Sequence, residues 1–410
     1  MTHKARRRKR PQLFKRLAAG MASIAILLGG VYGGYSLMNI TTDQQVLSGQ
    51  TTPVLTPVAT SLESRMLVMG DVFWGRYIND WSEQSELKYA YPFSRLAEFE
   101  REKYDAWIHD MECPITNNPK VSSAVEDTTL SFDCSPEYLP EAKKWFTAMT
   151  LANNHTDNQG PEGLVETRQH LDANGIQYFG TYEPNDYDHL CDVIAMPARV
   201  TMSDKSVVQA KLPMVWCGYH GVFKTPTPES IAVMKRYTDY FPVIAMPHSG
   251  AEYKAEPDTI KTDFYRSLID NGADVVIGDH PHWVQSSEAY KGKLIMYSLG
   301  NFIFDQQYNR EVTRSALLQM TVKVNAANNP GLAKWVALGE SCATYQDSCL
   351  EQVASQKLEK LSVTYQFGIE GSDNSGKLVH KATPEQLDDI KARLRWQQTI
   401  SGLSGNNRGE

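Results

Sequence analysis

The stretch Asp274-Val275-Val276-Ile277-Gly278-Asp279-His280-Pro281-His282 decides how the rest of the chain is read, together with Leu294-Ile295-Met296-Tyr297-Ser298-Leu299-Gly300-Asn301-Phe302 just downstream. Two apolar runs, each ending at a glycine, predict buried strands of a largely parallel sheet. Polar residues at the ends of such strands lie where α/β sheets place their ligands. Pro281 fixes its own φ and restrains the residue before it, so the loop is stiff and can aim two imidazoles into one cavity. Neutral imidazole is a common metal ligand. An isolated His-x-His also occurs in ordinary surface loops, so the rest of the chain has to supply the other ligands.

Working outward, several more apolar runs end in groups suited to metal or acid-base work. Met66–Met69 ends in Gly70-Asp71, Asp105–Ile108 in His109-Asp110-Met111-Glu112, and Trp145–Thr150 in Leu151-Ala152-Asn153-Asn154-His155. Met214–Gly218 is a further strand, and Pro242–Met246 leads to His248. Gly163–Asn174 and Thr259–Asn271 have helical spacing and end in Asn-Gly, a C-cap signal. Strands alternating with helices predict an α/β fold, with Leu317–Val324 as an antiparallel strand near the end of the core.

The composition, 41% hydrophobic and 22% charged, is that of a globular protein. Residues 1–16 carry eight Lys or Arg and no acid, so the net charge of −7 becomes −15 on the remainder. That remainder lacks the basic face nucleic-acid binding needs. Leu17–Ile40 is uncharged and long enough to cross a bilayer. Basic residues before it predict a cytoplasmic N-terminus and a domain outside the cytoplasm, on the cell membrane; a cleaved signal peptide is the alternative. The expected organisation is a basic segment 1–16, an anchor 17–40, a linker 41–62, a main domain 63–325 and a C-terminal extension 326–410. Within the extension, Leu361–Phe367 reads as a strand, Pro384–Gln397 as a helix and Ser401–Glu410 as a disordered tail. Six cysteines suit disulfides in an exported domain. Cys342 and Cys349 are the expected pair, while Cys191 and Cys217 beside apolar strands read nearly as well as free buried thiols.

Asp71, Glu112, Asn154, His248, His280 and His282 make a mixed oxygen and nitrogen set. It suits Mn, Fe or Zn better than Ca or a thiolate site. A bridging carboxylate allows one or two ions, the latter about 3.5–4 Å apart as in phosphoester hydrolysis. His155 is then a candidate acid or oxyanion stabiliser.

The chain resembles the CapA (poly-γ-glutamate capsule synthesis) family, whose domain is similar to calcineurin-like metallophosphoesterases. The resemblance rests on Gly70-Asp71 through Arg76, Asp110 through Pro114, Leu151 through His155, His248-Ser249-Gly250-Ala251-Glu252-Tyr253, Gly278 through His282 and Tyr297 through Asp305, in the family's order over about residues 66–325. It implies a four-layer αββα sandwich. It implies metal ligands Asp71, Glu112, Asn154, His248, His280 and His282, catalytic residues His155, Arg76 and Asn301, and Glu252 as a substrate-binding residue. Arg76 would hold a phosphate or carboxylate bidentately, or else pair with an acid of its own domain. Three positions depart from the pattern: Phe73 stands where phosphoesterases have a metal-binding histidine, Asp110 where Asn is frequent, and Asn158 where Asp is common. Phe73 predicts a weakened or absent metal.

The expected function is a membrane-anchored, metal-dependent hydrolase or transferase acting on a phosphoester or an anionic capsule polymer. The alternative is a non-catalytic, polymer-holding subunit of a membrane synthesis complex. On so acidic an exterior, polymer binding is expected only near Arg76 and the metal. The decisive weights are opposed: Phe73 favours the subunit, the retained histidines the enzyme.

Overall fold

One long strand, Ala59–Val72 (β1), carries the architecture of this computed structural model, which describes residues 57–410 apart from 119, 345, 406 and 410. The basic segment, the expected anchor and most of the expected linker lie outside the described residues. Among the described residues no helix is long and apolar enough to cross a membrane.

The first half of β1 is antiparallel to its neighbours and the second half parallel. Ala59–Glu63 pairs with Cys191–Met202 (β5), and Ser61–Val68 with Arg314–Asn325 (β12). From Met66 onward β1 runs parallel to Ala106–Met111 (β2), which is followed by Ala148–Thr150 (β3) and Gln177–Phe179 (β4). On the other side β5 leads antiparallel into Val207–Gly221 (β6), then parallel through Val243–Ser249 (β7), Val275–Ile277 (β8) and Lys293–Met296 (β10), edged by Ser287–Tyr290 (β9). Asn301–Ile303 (β11) lies parallel to the end of β1.

Strand alternation sorts side chains onto two cores. Leu67, Met69, Trp107 and Met149 point into one, with Phe93, Tyr138, Leu164 and Leu171. Met66, Val68, Ile108 and Ala148 point into the other, with Val215, Ile244 and Val275. Both faces of β1–β3 are therefore buried, which keeps backbone polar groups paired in the ladder and leaves only strand ends for chemistry. The helix Gly160–Asn174 closes at Gly175, whose φ of 71° supplies the left-handed cap. The helix Thr259–Asp270 starts at Asp258, which accepts from the Lys261 amide at 2.8 Å.

The boundaries differ from expectation at both ends. Ala59–Leu62, placed in the linker, are the first residues of β1, because Leu62 and Ser64 alternate inward while their neighbours face out. Residues 326–410 add to the same sheet. Val363–Asp373 (β13) is antiparallel to β12, His380–Lys381 (β14) edges it, and Trp335, Leu338, Tyr365 and Phe367 join the core of β6 and β7. The tail expected to be disordered instead ends in Asn407–Gly409 (β15), parallel to β13. It is tied there by the Ser404 amide and the Asn407 side chain, both donating to the Gly292 carbonyl. All six cysteines pair, as Cys113–Cys134, Cys191–Cys217 and Cys342–Cys349. Cys191 and Cys217, for which a disulfide and free thiols read almost equally well, sit opposite each other in the β5–β6 register and are bonded.

Candidate metal centre

Asp71 ends β1, Glu112 follows β2, Asn154 follows β3, His248 lies in β7, and His280 and His282 follow β8. Parallel pairing puts these ends side by side. Gly70 permits this approach: a Cβ there would come within 1.9 Å of the Gly300 carbonyl oxygen. His280 and His282 have φ of 93° and 58°, left-handed values that cost a residue with a Cβ. The stiff loop around Pro281 holds both histidines in strained conformations, a pattern concentrated at functional sites.

All six expected ligands are brought together and buried. Three groups of potential ligand atoms, each within 4.8 Å of one another, interlock: Glu112 with His248 and His280, Glu112 with Asp71 and His282, and Asp71 with Asp110 and His248. His248 Nε2 lies 2.7 Å from Asn154 Oδ1, 3.1 Å from His280 Nδ1 and 3.5 Å from Glu112 Oε1. His248 Nδ1 lies 2.7 Å from Asp110 Oδ2. With the ring proton on Nδ1, directed at Asp110, His248 Nε2 presents a lone pair to Asn154 Oδ1 and Glu112 Oε1, both acceptors. Such convergence is repulsive by itself and suits a cation at its centre.

The electrostatics point the same way. Both oxygens of Asp71 and of Glu112, and Oδ1 of Asp279, are buried without a hydrogen-bond donor. Burial, then Asp71 and Asp110 alongside, push Glu112 well above the carboxylate range, and Asp279 likewise. Burial pushes Asp110 up to about 8 although Asn153 donates to it. Burial depresses His248 and His280, leaving them neutral. Burial also works against a charged His282, but the Asp71 carboxylate 3.2 Å from its Nδ1 outweighs this and raises it. Buried, donor-poor carboxylates beside neutral imidazoles fit a divalent ion held by Glu112, His248, His280 and Asn154, or by Asp71, Glu112 and His282.

The remaining expected residues fall into place differently. Arg76 is buried, and its fork is filled by Asp305, with Nε to Oδ2 at 2.8 Å and Nη2 to Oδ1 at 2.5 Å. Of its two readings, the intradomain ion pair is the one present, so Arg76 is not a free anion clamp. Asn301 fixes His282: its Nδ2 donates to the Val312 carbonyl, which turns Oδ1 toward His282 Nδ1 at 2.8 Å. That makes it a positioning residue rather than the catalytic residue expected. Glu252 is exposed at the rim. Phe73 packs against Phe132 and Phe304 and offers no ligand.

His155 stacks on Phe132, with ring centroids 4.1 Å apart, and its Nδ1 lies 3.0 Å from Asn158 Oδ1. That oxygen also accepts the Phe132 amide, so His155 Nδ1 is the donor and Nε2 the acceptor. Burial lowers His155 to about 3, which favours the neutral ring with Nε2 as an acceptor.

Several residues were missed from sequence. Asn153 folds the loop, accepting from the His155 and Thr156 amides and donating to Asp110 and the Met111 carbonyl. Asp110 orients His248. Lys261 is buried behind Gly250 with no hydrogen-bond partner for Nζ, and burial depresses it to about 7 despite Asp279 nearby. An Asx-turn signal at Asn153 was the one local hint.

A mixed α/β sheet with a carboxylate-imidazole cluster at its strand ends defines a candidate metal-binding α/β protein. Residues 65–306 match the family described as bacterial capsule synthesis protein PGA_cap, and the chain belongs to that family. It is 30% identical over 272 residues to the PGA biosynthesis protein CapA of Bacillus subtilis (strain 168), covering 63% of this chain and 67% of that one. It is 25% identical over 269 residues to the capsule biosynthesis protein CapA of Bacillus anthracis, covering 63% and 64%. A solved phosphatase of Mycoplasma pneumoniae aligns over 66% of this chain and 90% of its own, at 15% identity and a TM-score of 0.35, a likeness too loose to carry an argument.

Proposed function

We propose that this capsule-synthesis family member is a metal-dependent hydrolase of a phosphoester or of an anionic capsule polymer, acting outside the cytoplasm from a membrane anchor at Leu17–Ile40. The observation that carries the reading is the Glu112 carboxylate, buried, without a donor, and shared by two ligand groups. A divalent ion such as Mn, Fe or Zn, when bound, supplies Lewis acidity and hydroxide at neutral pH. Asp110 and Asn301 hold the imidazoles of His248 and His282, and Asn158 fixes the His155 tautomer so that Nε2 accepts a hydrogen bond from substrate or water. The Asp71 carboxylate favours a protonated His282, and a cation at that imidazole would have to displace the proton, so loading of the Asp71 group weakens in acid. The two cores flanking β1–β3 support the αββα arrangement. Three disulfides among the described residues support an oxidising compartment.

The second reading, a non-catalytic polymer-holding subunit of a membrane capsule complex, is favoured by Phe73 and by the occupied Arg76 fork. Elemental analysis and a metal-dependent phosphoesterase assay on the purified protein separate the two. The hydrolase reading requires near-stoichiometric metal and metal-dependent turnover. Less than about a tenth of an equivalent after metal-replete purification sinks it, since the nucleophile depends on the ion. For topology, protease added outside spheroplasts should digest the domain, and complete protection counts against the orientation.

A further inference from the structure

At the end of the sheet opposite the metal centre, three cavities of about 410, 290 and 280 Å³ lie against one another. Their walls are shared: Lys360 lines the first and third, Ser362 the first and second, and Asn328 the second and third. The groove they form follows the segment leading into β13 and the starts of β1, β8 and β10. Six lysines line it: Lys291, Lys293, Lys323, Lys334, Lys357 and Lys360. Three acids line it too, and two are already engaged. Glu63 pairs with Arg65, Arg199 and Lys323, and Asp274 with Lys293, while Glu359 lies beside Lys360. Lys291 is paired with Asp270. Lys334, Lys357 and Lys360 are exposed and enter no ion pair among the described residues. On a chain of net charge −7, this is a local reversal of sign.

We propose that this groove binds an extended polycarboxylate chain, as a second site separate from the metal centre. Three adjoining cavities suit a strand rather than a compact ion, and lysines spread along them suit charges spread along a polymer. No arginine lines the groove, so it offers point charges spread along its length rather than planar forks for single anionic groups. Its aromatic residues, Trp335 and Tyr365, are 2% and 4% exposed, so it has no platform on which nucleic-acid bases would stack. The hydroxyls of Ser362 and Ser404 add uncharged donors. The choice of polycarboxylate over other polyanions rests on the capsule reading above; the groove and its charge do not. The lysine groove also answers where polymer would sit on an acidic protein whose Arg76 is already paired.

The test is fluorescence anisotropy of a labelled polyglutamate chain with the full protein, at near-physiological salt. The comparison variant is Lys334→Glu/Lys357→Glu/Lys360→Glu, whose sites are exposed. Wild type should bind, and the triple variant should bind about tenfold or more weakly, as reversing three surface charges implies. Binding should weaken with added salt. His280→Ala/His282→Ala should bind polymer as wild type does while losing any metal-induced rise in Tm, and the lysine variant should do the reverse, so failure of one site is told from failure of the other. The proposal is overturned if wild type does not bind, if the triple variant keeps full affinity, if free glutamate competes as well as polymer per carboxylate, or if polyphosphate or a single-stranded oligonucleotide binds as tightly as polyglutamate.

Discussion

Asp110 Oδ2 and His248 Nδ1 lie 2.7 Å apart, both fully enclosed, and this contact sets which nitrogen of His248 faces Glu112 and His280. An acceptor at Nδ1 fixes the tautomer and raises ligand basicity, an arrangement whose loss commonly costs 10–100-fold in metal affinity. Asp110→Ala should weaken metal binding by about that factor, measured by calorimetric titration. Asp110→Asn, which keeps an acceptor oxygen, should stay within a few fold of wild type. Equal losses in both would mean that the charge of Asp110, not its acceptor geometry, is what His248 needs.

The left-handed histidines give a second prediction. His280→Ala/His282→Ala should abolish the metal-induced rise in Tm, because a ligand that binds only the native state stabilises it by mass action. Without metal the double variant should lose no more than about 1–2 kcal/mol. His280→Gly should melt above His280→Ala in the absence of metal, by about 1 kcal/mol, because glycine accepts a φ of 93° without strain. Thermal melts with and without Mn²⁺ or Zn²⁺ read both effects; equal metal shifts in wild type and the double variant would make these histidines structural.

Arg76 and Asp305 form a buried, bidentate pair. Removing Arg76 strands Asp305, and removing Asp305 leaves Arg76 only the exposed Asp127 at 3.3 Å, each at a cost of about 3–5 kcal/mol. Denaturant titrations of Arg76→Leu, Asp305→Leu and the double variant should show a double loss well below the sum of the singles. Additive losses would show the two residues acting independently.

His109 gives a pH prediction remote from any metal question. It is fully buried, with neither ring nitrogen hydrogen-bonded, its ring 4.3 Å from that of Phe146, and burial lowers it to about 4. Between that value and the ordinary histidine value the unfolded chain takes up a proton the folded chain refuses. Stability is thus intact above about pH 6.5 and lost as pH falls, on the order of 2 kcal/mol by pH 5. His109→Leu should remove this term, so the variant gains on wild type as pH drops from 7 to 5. A constant gap in Tm across that range would show that His109 is protonated equally in both states.

The strand ends were readable because a buried parallel strand is a run of apolar residues that stops abruptly, and Asp71, Glu112, Asn154, His248, His280 and His282 all follow such stops. Their partners were not. Asp110 and His248 are 138 residues apart in sequence and Arg76 and Asp305 229, and nothing local in either pair announces the other. Asn153 looks like an ordinary turn residue until its five hydrogen bonds are seen in space. Ala59–Leu62 read as linker because serine and threonine are as common in loops as on the outer face of a strand. The tail misread for the same reason: glycine and asparagine in residues 401–410 suggest freedom, and only the edge of β13 gives them a place to bond.

The position of β1 also governs the order in which the molecule is made. It is the first described strand to leave the ribosome and the one on which both halves of the sheet depend, yet its longest antiparallel partner begins at Arg314. At roughly 5–20 residues per second, tens of seconds separate the two, and during that time a mostly apolar strand has one side unpaired. Loop closure over such a span is slow. Asp71 therefore takes its final place only when nearly the whole chain is present, and a nascent chain that stalls before β12 exposes its most aggregation-prone edge instead of a half-built centre.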